Sequence, residues 1–340
     1  MKHVNLADVP EQEIRSPGGK FHSFFRNVSL ALGNQRNVGT WGGGHPFDFQ
    51  VRRIPPGASV CPFHSHYGQW EFFLVRKGTG TVRTTKGIHP IAEGDLFYHP
   101  PAHPHQLTNT GDTDLEVFIF ADNPPMDACF YPDSNKWALR PPGKIFRMAL
   151  TDYFDGEEAT VEGAPNPMPP PALAETPPVP FAQRHRATAQ LPWAKYTSPK
   201  GKYSDHSQEW SEELGAKRNA HLGAGGHPFD LSLTRVAPGG TVTQYHWHAA
   251  QWEMYIVLSG ALAMRTAEGI IPAPAGEVFI HPPYDAHQII NPSNAEATFL
   301  IVADNPPADY WFYPDSNKWG FREPRKFFRL AEADYFDGAE

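Results

Sequence analysis

The alternation of apolar and polar positions along the chain predicts short β-strands. Phe47-Asp48-Phe49-Gln50-Val51-Arg52-Arg53 alternates with a period of two, as a half-buried strand does. Turn residues punctuate the chain at close intervals: Pro55-Pro56-Gly57, Lys77-Gly78, Lys86-Gly87 and Glu93-Gly94-Asp95. Between and beyond them the pattern predicts strands at Glu71 to Val75, Gly80 to Thr84, around Ile88, Leu96 to His99, Gln106 to Thr110 and Leu115 to Phe120. Roughly eight short strands with such turns predict a sandwich or small barrel. Only the stretches Lys144 to Leu150 and Lys326 to Ala331 read as helical pieces.

The same pattern then recurs. Shifting the numbering by 182 aligns the two halves without a gap: Gly43-Gly44-His45-Pro46-Phe47-Asp48 meets Gly225-Gly226-His227-Pro228-Phe229-Asp230. Likewise Phe130 to Trp137 recurs as Phe312 to Trp319, and Asp152 to Gly156 as Asp334 to Gly338. This is a tandem duplication. The expected organisation is a first domain over 1–156, a linker over 157–192 and a second domain over 193–340. Residues 165–180 contain eight prolines, which enforce extended backbone, so the linker is read as lying along the surface.

Composition narrows the class. A net charge of −8 provides no basic surface for nucleic acid. No apolar run reaches membrane-spanning length, and the first residues lack the apolar core of a signal peptide. Cys61 and Cys129 are too few for a disulfide framework, and neither has a counterpart in the other half. The expectation is a reduced, cytoplasmic protein that acts on a small molecule; association between copies is left open.

The chemistry concentrates in one repeated motif, His64-Ser65-His66-Tyr67-Gly68-Gln69-Trp70-Glu71 and His246-Trp247-His248-Ala249-Ala250-Gln251-Trp252-Glu253. Residues two apart on a strand project from one face, which pairs His64 with His66 and His246 with His248. The glutamate can return on the next strand, and His105 and His287 occupy matching frames further on. Three imidazoles and one carboxylate per copy form a first-row transition-metal set with room for water or substrate. The expected ligands are His64, His66, Glu71 and His105, and His246, His248, Glu253 and His287. The bland alternative is a barrel whose histidines merely hydrogen-bond within the pocket. His103 competes with His105 but falls opposite Asp285 in the repeat. His99 and His281 either support the site or sit plainly at a turn, and His45 and His227 read as turn braces. Gln69 and Gln251 face a metal-bound group or cap the turn. Arg53 and Arg235, on the parity of the apolar face of their strand, either enter the pocket or reach water at the strand end. Phe73 and Tyr255 share the glutamates' parity and predict non-equivalent pockets.

Gly57-x5-His64-x-His66-x4-Glu71-x6-Gly78, followed by Gly94-x5-Pro100, His105 and Asn109, resembles the two motifs of the cupin superfamily. The second half supplies Gly239, His246, His248, Glu253, Gly260, Gly276, Pro282, His287 and Asn291, so the whole resembles a bicupin. The resemblance implies an all-β chain of two tandem double-stranded β-helix (jelly-roll) barrels, with one divalent transition metal (Fe, Mn, Ni, Cu, Co or Zn) inside each. The ligand spacing is similar to that of quercetin dioxygenases. Oxalate decarboxylases carry an arginine shortly before the first histidine, where Cys61 and Thr243 stand here. The expectation leans to a dioxygenase-like metalloenzyme, with a non-redox enzyme (sugar isomerase or decarboxylase) or a non-catalytic binding module as alternatives.

Overall fold

A computed structural model of the chain describes residues 1–150, 153, 166–167 and 179–337, so the larger part of the proline-rich linker lies outside the described residues. The chain forms two compact units, one of residues 10–190 and the other of residues 1–9 together with 191–340.

In the first unit a seven-stranded antiparallel sheet runs in the order His185–Ala187, Asp95–His99, Glu71–Lys77, Leu115–Asp122, Phe47–Ile54, His22–Asn27, Gln12–Arg15. Smaller sheets complete the barrel: His105–Thr108, Thr79–Thr84 and Gly87–Ala92, and a four-stranded one that pairs Ser65–His66 with Asp127–Tyr131. The second unit repeats this plan, with Lys2–Asn5, Glu277–His281, Glu253–Ser259, Ala297–Asp304, Phe229–Val236, Ser204–Glu209 and Ala194–Thr197 as its large sheet. Both units are jelly-roll barrels.

The central strands are buried on both faces. Arg52 pairs with Val117, which pairs with Val75, so these side chains share the inner face. That face carries the core of Ile54, Phe73, Val75, Phe97 and Val117. The outer face carries Phe47 and Phe49, both fully buried. There Phe49 stacks on Phe120 at 4.8 Å and meets Phe118 edge-on at 5.1 Å, and the short helix Val28–Ala31 lies against the strand. The apolar parity of Phe47–Ile54 therefore marks the outside of the barrel.

Three expectations change. The first residues belong to the second unit: Lys2–Asn5 completes its large sheet, with Lys2 opposite Ile280 and Asn5 opposite Glu277. Residues 180–190, expected in the linker, complete the first unit: His185–Ala187 pairs with Asp95–His99, and Phe181 enters the core. In both cases an exposed sheet edge gains a strand. The pieces expected to be helical are strands as well, since Lys144–Phe146 pairs with Lys136–Arg140 and Lys326–Phe328 with Lys318–Phe321. Such short segments are too brief to nucleate a helix, whereas a neighbouring ladder offers bonds at once.

Two buried polar side chains hold loops at the barrel ends. The Asn109 amide donates to the carbonyls of Ile54 (2.7 Å) and Thr113 (2.8 Å), and its oxygen accepts from the Gly111 amide. Asn291 repeats this with Val236, Ala295 and Ser293. Asn109→Ala is expected to destabilise the first barrel by about 2 kcal/mol or more, because buried backbone groups lose their partners; urea unfolding followed by tryptophan fluorescence checks this. Asp122 accepts from the Trp70 amide at 2.7 Å, and burial pushes its carboxyl up to about 7. The folded chain thus keeps a proton that the unfolded chain releases near pH 4. This contribution to stability is full below pH 4 and is lost as the pH rises towards 7. Thermal melts at pH 5 and pH 8 are expected to differ less for Asp122→Asn than for wild type, and an unchanged difference contradicts the assignment.

Candidate metal centres and their pockets

His64 and His105 lie on neighbouring segments joined by paired backbone bonds (His64 N to His105 O, 3.1 Å; His105 N to His64 O, 2.8 Å). His66 sits on Ser65–His66 beside Cys129, and Glu71 opens its strand between His99 and Ala121. The fold brings all four expected ligands of the first barrel together. Glu71 Oε2 lies 3.7 Å from His64 Nε2, 3.6 Å from His66 Nε2 and 3.0 Å from His105 Nε2. In the second barrel Glu253 Oε2 lies 3.6, 3.7 and 2.9 Å from Nε2 of His246, His248 and His287.

The outer nitrogens fix which way these rings face. His64 Nδ1 meets the Pro62 carbonyl at 3.0 Å, His66 Nδ1 the Asp127 carboxylate at 2.6 Å, and His105 Nδ1 the His103 carbonyl at 3.2 Å. His246, His248 and His287 do the same with Gln244 O (2.8 Å), Asp309 (2.6 Å) and Asp285 O (2.9 Å). The nearest partner of every one of these Nδ1 atoms only accepts, with Cys61 Sγ and the Arg140 guanidinium further off at 3.4 Å from His64 and His66, so each Nδ1 carries the hydrogen and each Nε2 turns a lone pair inward. The inner atoms of Glu71, His105 and Glu253 are buried and make no properly oriented hydrogen bond to the described residues. Donor atoms that converge without bonding one another are what a cation would satisfy; a divalent transition metal fits both sets.

Burial works against charge on Glu71, yet His66 and His105 hold its carboxyl well below the usual range. Burial, with His64 beside it, pulls His105 down to about 4, which keeps that ring neutral. Asp127 is held low although burial opposes it, because His66, the Gly68 amide and Arg140 all donate to it.

The other candidates are placed as follows. Gln69 donates to the Asp122 carbonyl at 2.6 Å and accepts from Arg140, so both ends of its amide are engaged away from the donor set. Gln251 donates to the Asp304 carbonyl at 2.6 Å. Arg53 lies on the outer face, paired with Glu11 (2.6 Å) and Asp114 (2.8 Å). Arg235 covers Trp193 at 3.7 Å, with Glu296 at 3.9 Å. Neither arginine enters a pocket, because both occupy the outward parity of a doubly buried strand. His45 and His227 brace loops through their carbonyls, which accept from Asn123 and Asn305.

His99 stacks on His105 at 3.8 Å and His281 on His287 at 3.9 Å. Their outer partners differ in kind. Arg184, a donor only, gives an N–H to His99 Nδ1 at 2.7 Å, whereas Asp285 faces His281 Nδ1 at 3.1 Å. The hydrogen therefore sits on Nε2 of His99 and on Nδ1 of His281.

The motif reading missed two residues. The first is Arg52, on the inner face between Ile54 and Gln50. Its guanidinium donates to Ser23 (3.0 Å) and Gln50 (3.1 Å) and covers Phe25 at 4.9 Å. Among the described residues no carboxylate comes within ion-pair distance of it, and its buried Nε has no partner. Glu71 is the carboxylate whose field reaches it. No sequence signal distinguishes Arg52 from Arg53 until the pairing with Val117 is known. The second is Arg184, which the proline-rich setting disguised as linker. The expected contrast between Phe73 and Tyr255 is present: the Tyr255 hydroxyl lies 3.1 Å from His287 Nε2, where the first barrel has only a phenyl ring.

Comparison with known proteins agrees with this architecture. The family model described as "Cupin domain" matches residues 50–121 and 232–303. Auxin-binding protein 1 of Arabidopsis thaliana is 28% identical over 160 residues, covering 44% of this chain and 71% of that protein. An oxalate-binding protein of Thermotoga maritima is 35% identical over 68 residues, 20% of this chain and 55% of that protein. Among solved structures, oxalate decarboxylase variants of Bacillus subtilis superpose with a TM-score of 0.53 at 17% identity, covering 91% of this chain and 78% of theirs. The formate complex of the Lactobacillus farciminis oxalate decarboxylase gives 0.54 at 16% identity, covering 90% of this chain and 86% of that one. At such identities the structural likeness concerns the fold alone. With the motif, the barrel and the family match each present in both halves, the chain belongs to the cupin superfamily and is a bicupin.

Proposed function

We propose that the protein is a metal-dependent enzyme that takes a small organic acid in its first barrel and reacts it with dioxygen. The carrying observation is Arg52, a guanidinium without an ion pair among the described residues, on the same inner wall as a three-histidine, one-glutamate set. His64, His66, Glu71 and His105 would hold the first metal, and His246, His248, Glu253 and His287 the second. A bound redox-active metal supplies open coordination positions and electrons for dioxygen.

The chain's own residues set the rest. Arg52 supplies paired N–H groups that match a carboxylate, and burial strengthens that pairing. Phe73 walls the first pocket with an apolar ring 5.8 Å from His105, which limits water. Asp127 and the carbonyls of Pro62 and His103 keep the three imidazoles turned inward.

A second reading, decarboxylation of such an acid, draws on the same guanidinium. Neither barrel has an arginine at Cys61 or Thr243, but Arg52 presents one from the adjacent wall. The name of the Thermotoga relative points to a dicarboxylate for that protein. Oxygen uptake and carbon dioxide release, measured side by side on hydroxy-, keto- and dicarboxylic acids, separate the two readings. Uptake of dioxygen with an acid substrate is expected; carbon dioxide release without uptake selects the second reading, and neither with any acid overturns both. Arg52→Gln is expected to raise KM for the acid about 10- to 100-fold, as loss of a buried charge-assisted pair does. Asp127→Asn is expected to weaken divalent-metal binding in the first barrel about 10- to 100-fold, read by competition with a chromophoric chelator.

A further inference from the structure

The two barrels share their ligand sets, but their inner walls carry opposite charge. In the second barrel a cavity of about 500 Å³ is lined by Asp205, Ser207, Glu209, Ser232 and Thr234, and by Tyr313. Tyr313 lies 6.0 Å from His246, and Thr243 and Gln244 of the lining run directly into that ligand, so the cavity adjoins the second donor set. The register places Ser207 opposite Thr234 and Glu209 opposite Ser232, and Thr234 leads on to the core residue Val236. Asp205, two residues before Ser207, therefore faces inward too.

The repeat makes the comparison position by position. Thr234 stands where the first barrel has Arg52, and Asp205 where it has Ser23, the very pair joined by a hydrogen bond there. One wall carries a cation beside a hydroxyl; the other carries a carboxylate beside a hydroxyl. Glu209 is matched within the chain, since Arg218 lies 3.1 Å from it and Ser207 donates to it. Asp205 is different. Its residue is 8% exposed, and among the described residues its carboxylate has neither a hydrogen bond nor an ion pair. Burial, with Glu209 nearby, lifts it to about 6 against the weaker pull of His206 and of Arg218, which also lines the cavity, so at neutral pH it is ionised at a cost that a bound cation relieves. Lys195 also lines the cavity but sits on an exposed strand position opposite His206, with the outward parity.

The geometry points to the second barrel as a site for a small molecule bearing an amine, held by Asp205, where the first barrel takes an acid. This inference goes beyond the reading of the first barrel and does not rest on it. The Tyr255 hydroxyl, within the second donor set, adds a hydrogen-bonding group that the first set lacks, so the two pockets differ at the metal end as well as at the wall.

The test uses the full chain and shape-matched probes of opposite charge: 2-phenylethylamine against 3-phenylpropionate, and 1,4-diaminobutane against succinate. Dissociation constants are measured by ligand-observed NMR and calorimetry for wild type, Asp205→Asn and Asp205→Ser. Serine is the residue of the first barrel at this position, so that variant is compatible with the barrel, and melting curves verify both. At least one amine is expected to bind, with affinity reduced 10-fold or more in both variants, while Arg52→Gln leaves amine binding unchanged. If no amine binds, or if amine binding is indifferent to Asp205, the inference is overturned. Loss of amine binding in Arg52→Gln overturns it as well, and failure of the acid reading in the first barrel leaves these outcomes untouched.

Discussion

Both centres depend on where six imidazole hydrogens sit. A histidine offers a metal one lone pair, and only if its other nitrogen carries the hydrogen. Here the nearest partner of each outer nitrogen is an acceptor-only group, a backbone carbonyl or the buried carboxylates Asp127 and Asp309. The backbone pairing of His64 with His105, and of His246 with His287, then brings the inward lone pairs of two strands to one place. Glutamate arrives on the adjacent strand. The barrel is a device for aiming these donors, and Asn109 and Asn291 pin its loops.

Duplication kept this aiming and released the walls. Phe73 became Tyr255, Arg52 stands opposite Thr234 in the repeat, and Ser23 opposite Asp205. Even the histidine stacked on the third ligand is polarised in opposite senses, by Arg184 in one barrel and by Asp285 in the other. Two donor sets of one geometry thus sit in two different chemical surroundings. That is the pattern expected when one scaffold serves two ligands, or one reaction and one regulatory or binding task.

Much of this was legible in the sequence because the motif residues are local. His64, His66 and Glu71 fall within eight positions, and strand periodicity alone puts the histidines on one face. The repeat fixed the frame for His105 against His103. What escaped was non-local. Arg52 carries no local signal, because the apolar alternation of its strand points to Phe47 and Phe49 as the inward side, whereas both pack outward. The strand Lys2–Asn5 joins residues more than 270 positions away, and no local signal encodes that pairing. His185–Ala187 and Arg184 follow a proline-rich stretch and likewise pair with a strand about 90 positions earlier, which no local pattern marks.

Whether the two donor sets hold metal is decided by the metal content of protein purified without a metal-affinity tag, for wild type, His64→Ala and His246→Ala. About two equivalents of a first-row transition metal are expected in wild type, with each variant losing about one. Absence of metal from every preparation, with none taken up on reconstitution, would contradict metal binding by either set.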